Sequence, residues 1–126
     1  MNRPIKNCYW VVENKFLAGE YPRESDHASS IKKISSLLTT GVSCIIDLTH
    51  PDDKMLPYRQ LVDQLSNYPV KIQQYPIPDF SIPKSKNLTK QILDQIDAVI
   101  SKNGMVYVHC WGGIGRTGTI VGCWLA

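Results

Sequence analysis

Hydrophobic residues along the chain follow two spacings, and the two spacings predict strands and helices in turn. Two short aromatic and β-branched runs near the N-terminus, separated by the turn-like pair 13–14, predict a hairpin. Segments 28–40 and 87–102 carry apolar residues at every third or fourth position, the spacing of a helix that buries one face. Gly41 and Gly104 follow these segments, as glycine commonly follows the end of a helix.

Compact apolar runs lie between and after the helical segments and predict buried strands. They read VSCIIDL, VKIQQYPI and MVYVHC and cover residues 42–48, 70–77 and 105–110. Strands and helices therefore alternate from residue 28 to the end of the chain. This order predicts a single α/β domain over residues 1–126, with a central, mostly parallel sheet of about five strands flanked by helices.

Two further helices complete the predicted order. A short helix is expected at 58–66 and the last helix from Thr117 onward, and Asn87 is expected to cap the long helix between them. The last helix runs to Ala126 through the apolar stretch GTIVGCWLA, without a glycine cap or a polar final turn. We therefore expect the domain to be truncated at its C-terminus, with further helices missing.

Composition and charge exclude several classes of protein. The net charge of +3 over 126 residues is too small to predict nucleic-acid binding, but it suits a site for a small anion. No apolar run approaches the roughly 18 residues of a membrane span, and no signal peptide is recognisable. The four cysteines show neither C-x-x-C nor zinc-finger spacing, so we expect a cytoplasmic protein without a bound metal. Cys8, Cys44 and Cys123 are expected in the core, and a disulfide to Cys110 on oxidation stays open.

The segment HCWGGIGRTGT, residues 109–119, carries the strongest chemical signal. It joins the last predicted strand to the last predicted helix, and ligands of parallel sheets bind beyond the carboxyl ends of the strands. Its glycines let several backbone N–H groups point inward, and the helix adds the positive end of its dipole. The expected phosphate-binding residues are Trp111, Gly112, Gly113, Ile114, Gly115 and Arg116.

Four side chains of this segment are candidates for the chemistry. The N–H groups and the dipole would stabilise Cys110 as a nucleophilic thiolate, and Arg116 would hold two phosphoryl oxygens in a bidentate fork. Attack on phosphorus would form a phosphocysteine. Thr117 is expected to hydrogen-bond the sulfur as it leaves, and His109 is expected to order the loop by bonding backbone carbonyls.

The leaving group needs a proton, and Asp79 is the predicted source. It lies in the segment YPIPDFSIP after a strand, where it would act first as general acid and then as general base on the water that clears the phosphocysteine. Its rivals are other carboxylates that follow a strand. Asp47, at a strand end, is expected to bond neighbouring loops, and Asp52 and Asp53 are expected to lie in a surface turn with a capping role.

The pattern His-Cys-x-x-Gly-x-x-Arg-Thr-Gly resembles the signature of the protein-tyrosine phosphatase superfamily. By this resemblance Cys110, Gly113, Arg116 and Thr117 correspond to the nucleophile, the loop glycine, the phosphate-binding arginine and the hydroxyl. Gly112 stands where many members carry alanine. The segments PDF and FLAGEYP are similar to the acid loop and the opening of compact dual-specificity phosphatases, and the cysteine loop resembles that of kinase-associated phosphatases. The resemblance implies a Cys-x5-Arg phosphatase that needs no cofactor.

The substrate stays open at this point, with a phosphorylated protein or a small phosphomonoester as the partner. An inositol-phosphate, phosphoinositide or nucleotide phosphatase on the same fold is one alternative, although lipid-directed members often carry lysines in the loop, which this chain lacks. A non-catalytic phospho-binding module is another, and sulfur or arsenate chemistry on a similar loop is a third. The oligomeric state does not follow from the sequence.

Overall fold

The computed structural model describes residues 3–78, 86–112 and 114–126. Its strands are β1 (Cys8–Val12), β2 (Phe16–Gly19), β3 (Cys44–Asp47), β4 (Lys71–Gln74) and β5 (Val106–His109). Its helices are α1 (His27–Thr40), α2 (Arg59–Leu65), α3 (Lys86–Ser101) and α4 (Gly115–Leu125), with a 3-10 turn at Pro51–Asp53. The predicted alternation of strands and helices is confirmed.

The five strands form one sheet in the order β1-β2-β5-β3-β4. β1 runs antiparallel to β2, as predicted for the hairpin, and the remaining pairs are parallel. In the register of this sheet, His109 at the end of β5 lies between Gly19 of β2 and Asp47 of β3. The carboxyl ends of three parallel strands therefore meet at one edge, and the segment that begins with Cys110 leaves the sheet there.

The sheet has a hydrophobic core on each face, because successive side chains of a strand point to opposite sides. Leu17, Ile45 and Tyr107 belong to the core that includes buried residues of α1 and α2. Phe16, Ile46 and Val108 belong to the core that includes buried residues of α3 and α4. The domain is thus a three-layer sandwich in which each face of the sheet is covered by a pair of helices.

Local capping explains where the first helix begins and ends. The carboxylate of Asp26 accepts a hydrogen bond of 2.8 Å from the backbone N–H of Ser29. Gly41 follows the helix with φ 117°, a left-handed conformation that glycine adopts without steric cost. The stop predicted from Gly41 is confirmed.

Three sequence predictions about helices and cysteines are wrong in detail. α3 begins at Lys86, so Asn87 lies inside the helix instead of capping it. α4 begins at Gly115, two residues before Thr117. Cys8 and Cys44 are buried as expected, but Cys123 is exposed, because it lies on the outer side of α4. No helix in the described part of the chain is both long and apolar enough to cross a membrane.

Candidate functional site

The segment between β5 and α4 joins a buried strand end to the start of a helix. Cys110 follows β5 directly and is only 3% exposed. The backbone N–H of Tyr21 donates a hydrogen bond of 2.9 Å to the carbonyl oxygen of Trp111, which ties the segment to the residues that follow β2. Ile114 stands at the N-cap of α4 and makes no side-chain hydrogen bond to the helix. This helix start therefore suits an anion as its cap.

The outer surface of the same segment is open to solvent. Gly112 and Gly115 are exposed, and the apolar side chains of Trp111 and Ile114 are 62% and 83% exposed. Gly113 lies outside the described residues. The predicted phosphate-binding segment is therefore exposed on its outer side. The side chains of Cys110 and of residues in the first turn of α4 are buried.

Arg116 lies in that first turn, and hydrogen bonds hold its guanidinium in place. Its Nη1 donates hydrogen bonds of 2.7 Å to Oδ2 of Asp53 and 2.9 Å to the carbonyl oxygen of Ile77. The Arg116 side chain is 2% exposed and that of Asp53 10%. Because both partners come from segments that follow parallel strands, the carboxyl edge of the sheet fixes the position of the arginine.

Asp53 has a role that was not predicted from the sequence. Its Oδ2 accepts a hydrogen bond of 2.9 Å from the backbone N–H of His50, so the predicted capping role is present. The prediction of a surface turn holds for Asp52, whose side chain is 88% exposed. It is wrong for Asp53, because the ion pair with Arg116 draws that carboxylate into the site.

We expect the Asp53→Asn substitution to lower the free energy of unfolding by roughly 1–3 kcal/mol, since it leaves a buried guanidinium without its carboxylate. Denaturant unfolding of the wild type and the variant measures the difference. Asp52→Asn is the matched control, because its side chain faces solvent in the same 3-10 turn. Equal effects of the two substitutions would contradict a structural role for the Asp53–Arg116 pair.

Thr117 follows Arg116 and is completely buried. Its hydroxyl oxygen has no hydrogen-bond partner among the described residues. Buried hydroxyl groups in proteins are normally hydrogen-bonded. The hydroxyl of Thr117 is therefore available to a group bound in the segment between β5 and α4.

A chain of buried polar side chains lies beneath the segment. Nδ1 of His109 lies 3.0 Å from the carbonyl oxygen of Cys110, and its Nε2 lies 2.6 Å from the hydroxyl oxygen of Tyr58. The Tyr58 hydroxyl in turn lies 3.0 Å from Oδ2 of Asp47. Asp47 also accepts hydrogen bonds from the backbone and side chain of Thr49, so the expectation that it bonds neighbouring loops is confirmed. Its link to His109 through Tyr58 was not foreseen.

Tyr58 keeps its proton in this chain. Burial raises the pKa of the Tyr58 phenol well above its ordinary value, and the neighbouring Asp47 carboxylate raises it further. The hydroxyl therefore has one proton to donate near neutral pH. Tyr58 belongs to the short helix region that the sequence predicted, but its polar contacts span 11 and 51 residues along the chain.

Two clefts flank Trp111 at the surface. One, of about 530 Å³, is lined by Asp52, Asp53, Met55, Pro78 and Trp111. Asp79 follows Pro78 in the sequence and lies outside the described residues, as does Phe80. Pro78, the last described residue before Asp79, therefore lines the same cleft as the carboxylate partner of Arg116.

The second cleft has a volume of about 610 Å³, and its lining includes Tyr9, Trp111, Gly112 and Ile114. Burial raises the pKa of the Tyr9 phenol, and the electrostatic interaction with Cys110 raises it further. Tyr9 was predicted only as part of the first strand, and its place beside the cysteine segment was not foreseen. The available signal for its role was that it is an aromatic residue in β1, the strand next to β2.

Comparison with protein families gives a match over most of the chain. The model of the family described as "Polymorphic toxin system, DSP-PTPase phosphatase" matches residues 20–126. The chain is 31% identical over 126 residues to the "Putative tyrosine phosphatase 067L" of Invertebrate iridescent virus 3, covering 97% of this chain and 47% of the viral protein. It is 28% identical over 65 residues to cyclin-dependent kinase inhibitor 3 of Sus scrofa, covering 52% of this chain and 30% of that protein. The chain spans less than half the length of these relatives.

Solved structures share the fold. The active form of Tk-PTP superposes with a TM-score of 0.75 at 23% identity, covering 94% of this chain and 71% of that chain. The core catalytic domain of the PP-IP phosphatase SIW14 from S. cerevisiae superposes with a TM-score of 0.69 at 22% identity, covering 96% and 65%. With the fold and the family match together, the chain belongs to the DSP-PTPase phosphatases, a compact dual-specificity type within the protein-tyrosine phosphatase superfamily.

Proposed function

We propose that residues 1–126 form one catalytic domain that hydrolyses phosphomonoesters through a phosphocysteine on Cys110. The observation that carries this proposal is the buried Arg116, held by Asp53 in the first turn of α4, six residues after Cys110 at the end of β5. A fixed guanidinium beside the N–H groups of a helix start provides a preorganised site for phosphoryl oxygens. The thiol chemistry suits a reducing compartment such as the cytoplasm.

The reaction has two steps. The Cys110 thiolate attacks phosphorus and forms an S–P bond while the P–O bond to the leaving group breaks, and Asp79 gives its proton to the leaving oxygen. Water then attacks the phosphocysteine, Asp79 takes a proton from it, and the S–P bond breaks to release inorganic phosphate. The buried hydroxyl of Thr117 donates a hydrogen bond to the sulfur as its negative charge returns.

The role of Asp79 depends on the leaving group. We expect Asp79→Asn to lower the rate for an alkyl phosphate by roughly 10²- to 10⁴-fold, and the rate for an aryl phosphate with an acidic phenol by much less. An alkoxide needs the proton more than such a phenoxide does. Steady-state rates on both substrates measure the effect, with Asp63→Asn in the exposed part of α2 as control. Unchanged rates on both substrates would remove Asp79 from the mechanism.

Phosphotyrosine and other protein phosphomonoesters are the substrates that the clefts favour. The cleft beside Arg116 has two carboxylates, Asp52 and Asp53, and apolar surface from Met55, Pro78 and Trp111. The Asp53 carboxylate is paired with Arg116, so the exposed carboxylate of Asp52 is the one that repels additional phosphate groups, whereas the apolar surface suits an aromatic ring. This charge pattern argues against a polyphosphorylated inositol, the alternative raised by the fold shared with SIW14.

A substrate panel tests this proposal. Phosphotyrosine and phosphothreonine peptides, a generic aryl phosphate and inositol phosphates are compared by their kcat/KM values. The proposal predicts the highest value for phosphotyrosine peptides or the aryl phosphate. Preferred hydrolysis of an inositol polyphosphate would contradict the substrate class, and phosphopeptide binding without turnover would instead identify a binding module.

A further inference from the structure

Beneath the segment of Cys110, the structure points to a buried charge that the reaction scheme above does not use. We propose that Asp47 is a positioning residue: through Tyr58 it keeps a proton on both ring nitrogens of His109 and so places a positive charge under Cys110. The inference rests on the proposed function for its catalytic consequence, but the protonation of His109 is measurable without any substrate.

Counting protons along the hydrogen bonds leads to this assignment. The carbonyl oxygen of Cys110 can only accept, so its 3.0 Å contact with His109 needs a proton on Nδ1. The hydroxyl of Tyr58 has one proton and lies close to two atoms, Nε2 of His109 at 2.6 Å and Oδ2 of Asp47 at 3.0 Å. If Tyr58 donates to Asp47, the short contact with His109 needs a second proton, on Nε2.

The surroundings of Asp47 favour this direction of donation. Its Oδ1 accepts a hydrogen bond of 2.8 Å from the backbone N–H of Thr49 and a further one from the Thr49 hydroxyl, as an ionised carboxylate would. Asp47 is 2% exposed, and the ion pair found for it within the described residues is with His109, at 3.7 Å. A buried carboxylate is costly without a nearby positive charge. A doubly protonated His109 supplies that charge and makes the cluster neutral.

Other groups around His109 oppose or modify its charge. The groups that contact His109 or act on it electrostatically are Asp47, Tyr58, Tyr21, Tyr107, Cys110, Lys33 and Arg116. Burial lowers the pKa of His109 below its ordinary value, whereas the Asp47 carboxylate acts against that shift, and Lys33 and Arg116 add to the lowering. Donation by Tyr58 to Asp47 leaves Nε2 of His109 as the donor in the 2.6 Å contact, and together with the proton on Nδ1 this favours the charged ring.

A positively charged His109 would assist the reaction from the buried side of the Cys110 segment. It precedes the nucleophile directly in the chain and is itself completely inaccessible to solvent. Its charge stabilises negative charge on the sulfur, and its bond to the Cys110 carbonyl holds the start of the segment in one orientation. Both effects act on the chemical step more than on the initial binding of substrate.

Nuclear magnetic resonance of the chain with ¹⁵N-labelled histidine tests the assignment directly. His27 and His50 are the other two histidines, and replacing each in turn identifies the signals of His109. We expect directly bonded protons on both Nδ1 and Nε2 of His109 at pH 7. A single ring proton on His109 at that pH would overturn the proposal.

Asp47→Asn gives the second test. With its amide oxygen toward Thr49, the new side chain turns its NH₂ group toward Tyr58, which must then donate to His109. We therefore expect Nε2 to lose its proton and kcat for an aryl phosphate to fall roughly 10- to 100-fold, with KM little changed. Asp63→Asn, in the exposed part of α2, should change neither quantity.

The outcomes separate this inference from the proposed function. If the wild-type chain hydrolyses phosphomonoesters normally but its His109 has only one ring proton, this inference is wrong and the proposed function stands. A doubly protonated His109 in a chain that hydrolyses no phosphomonoester overturns the proposed function and leaves the protonation assignment in place. A variant Asp47→Asn that keeps both ring protons contradicts the role of Asp47, and the wild-type spectrum decides the charge even if that variant does not fold.

Discussion

Cys110→Ser is expected to abolish hydrolysis of aryl phosphates, lowering kcat by about 10⁴-fold or more, while the fold stays intact. A serine hydroxyl is nearly the same size as the thiol but is not ionised near neutral pH, so the nucleophile is lost without a packing change. Initial rates and thermal unfolding of the variant measure the two parts of this expectation. Inorganic phosphate should still bind, because Arg116 and the start of α4 remain.

Cys123→Ser is the matched control for this substitution. Cys123 lies on the exposed side of α4, and its replacement should leave both turnover and stability unchanged. Substantial turnover by Cys110→Ser would contradict covalent catalysis at that residue. The same loss of turnover in both variants would show that the effect is not specific to the nucleophile.

Arg116→Lys is expected to lower kcat/KM by roughly 10²- to 10³-fold. Lysine keeps the positive charge but replaces a planar fork by a single ammonium group, so two phosphoryl oxygens can no longer be held together. It also replaces the guanidinium that donates to both Asp53 and Ile77. Steady-state kinetics on an aryl phosphate gives the measurement.

The control for that prediction is Arg59→Lys. Arg59 is exposed at the start of α2, where it donates a hydrogen bond to the carbonyl oxygen of Ile72. Its replacement should leave kcat/KM within a factor of about two of the wild type, because surface substitutions rarely change a distant site. An Arg116→Lys variant with wild-type kcat/KM would contradict bidentate phosphate binding.

The sequence predicted the elements of the fold but not their order in the sheet. The apolar runs of β3 and β5 identified buried strands because both faces of these strands are covered by helices. Their adjacency, with β5 between β2 and β3, depends on contacts between residues far apart in the chain. Hence the position of His109 between Gly19 and Asp47 could not be derived from periodicity.

In the candidate site too, a local motif predicts some residues, whereas others depend on contacts between residues far apart in the chain. Cys110, Arg116 and Thr117 were identified because the strand, the glycines and the helix start stand next to one another in the sequence. The pair of Arg116 with Asp53 joins residues 63 positions apart, and no local pattern distinguishes that aspartate from Asp52. Its burial follows from the packing of the 3-10 turn against the site, which the sequence does not encode as a motif.

Trapping the phosphocysteine is a direct test of covalent catalysis at Cys110. The chain is mixed rapidly with an aryl phosphate, quenched in acid within the first turnover, digested, and examined by mass spectrometry. We expect one phosphoryl group on the peptide that contains Cys110, formed with the first equivalent of phenol and absent from the Cys110→Ser variant. Phenol release with no phosphoryl group on that cysteine, or with the group on another residue, would contradict it.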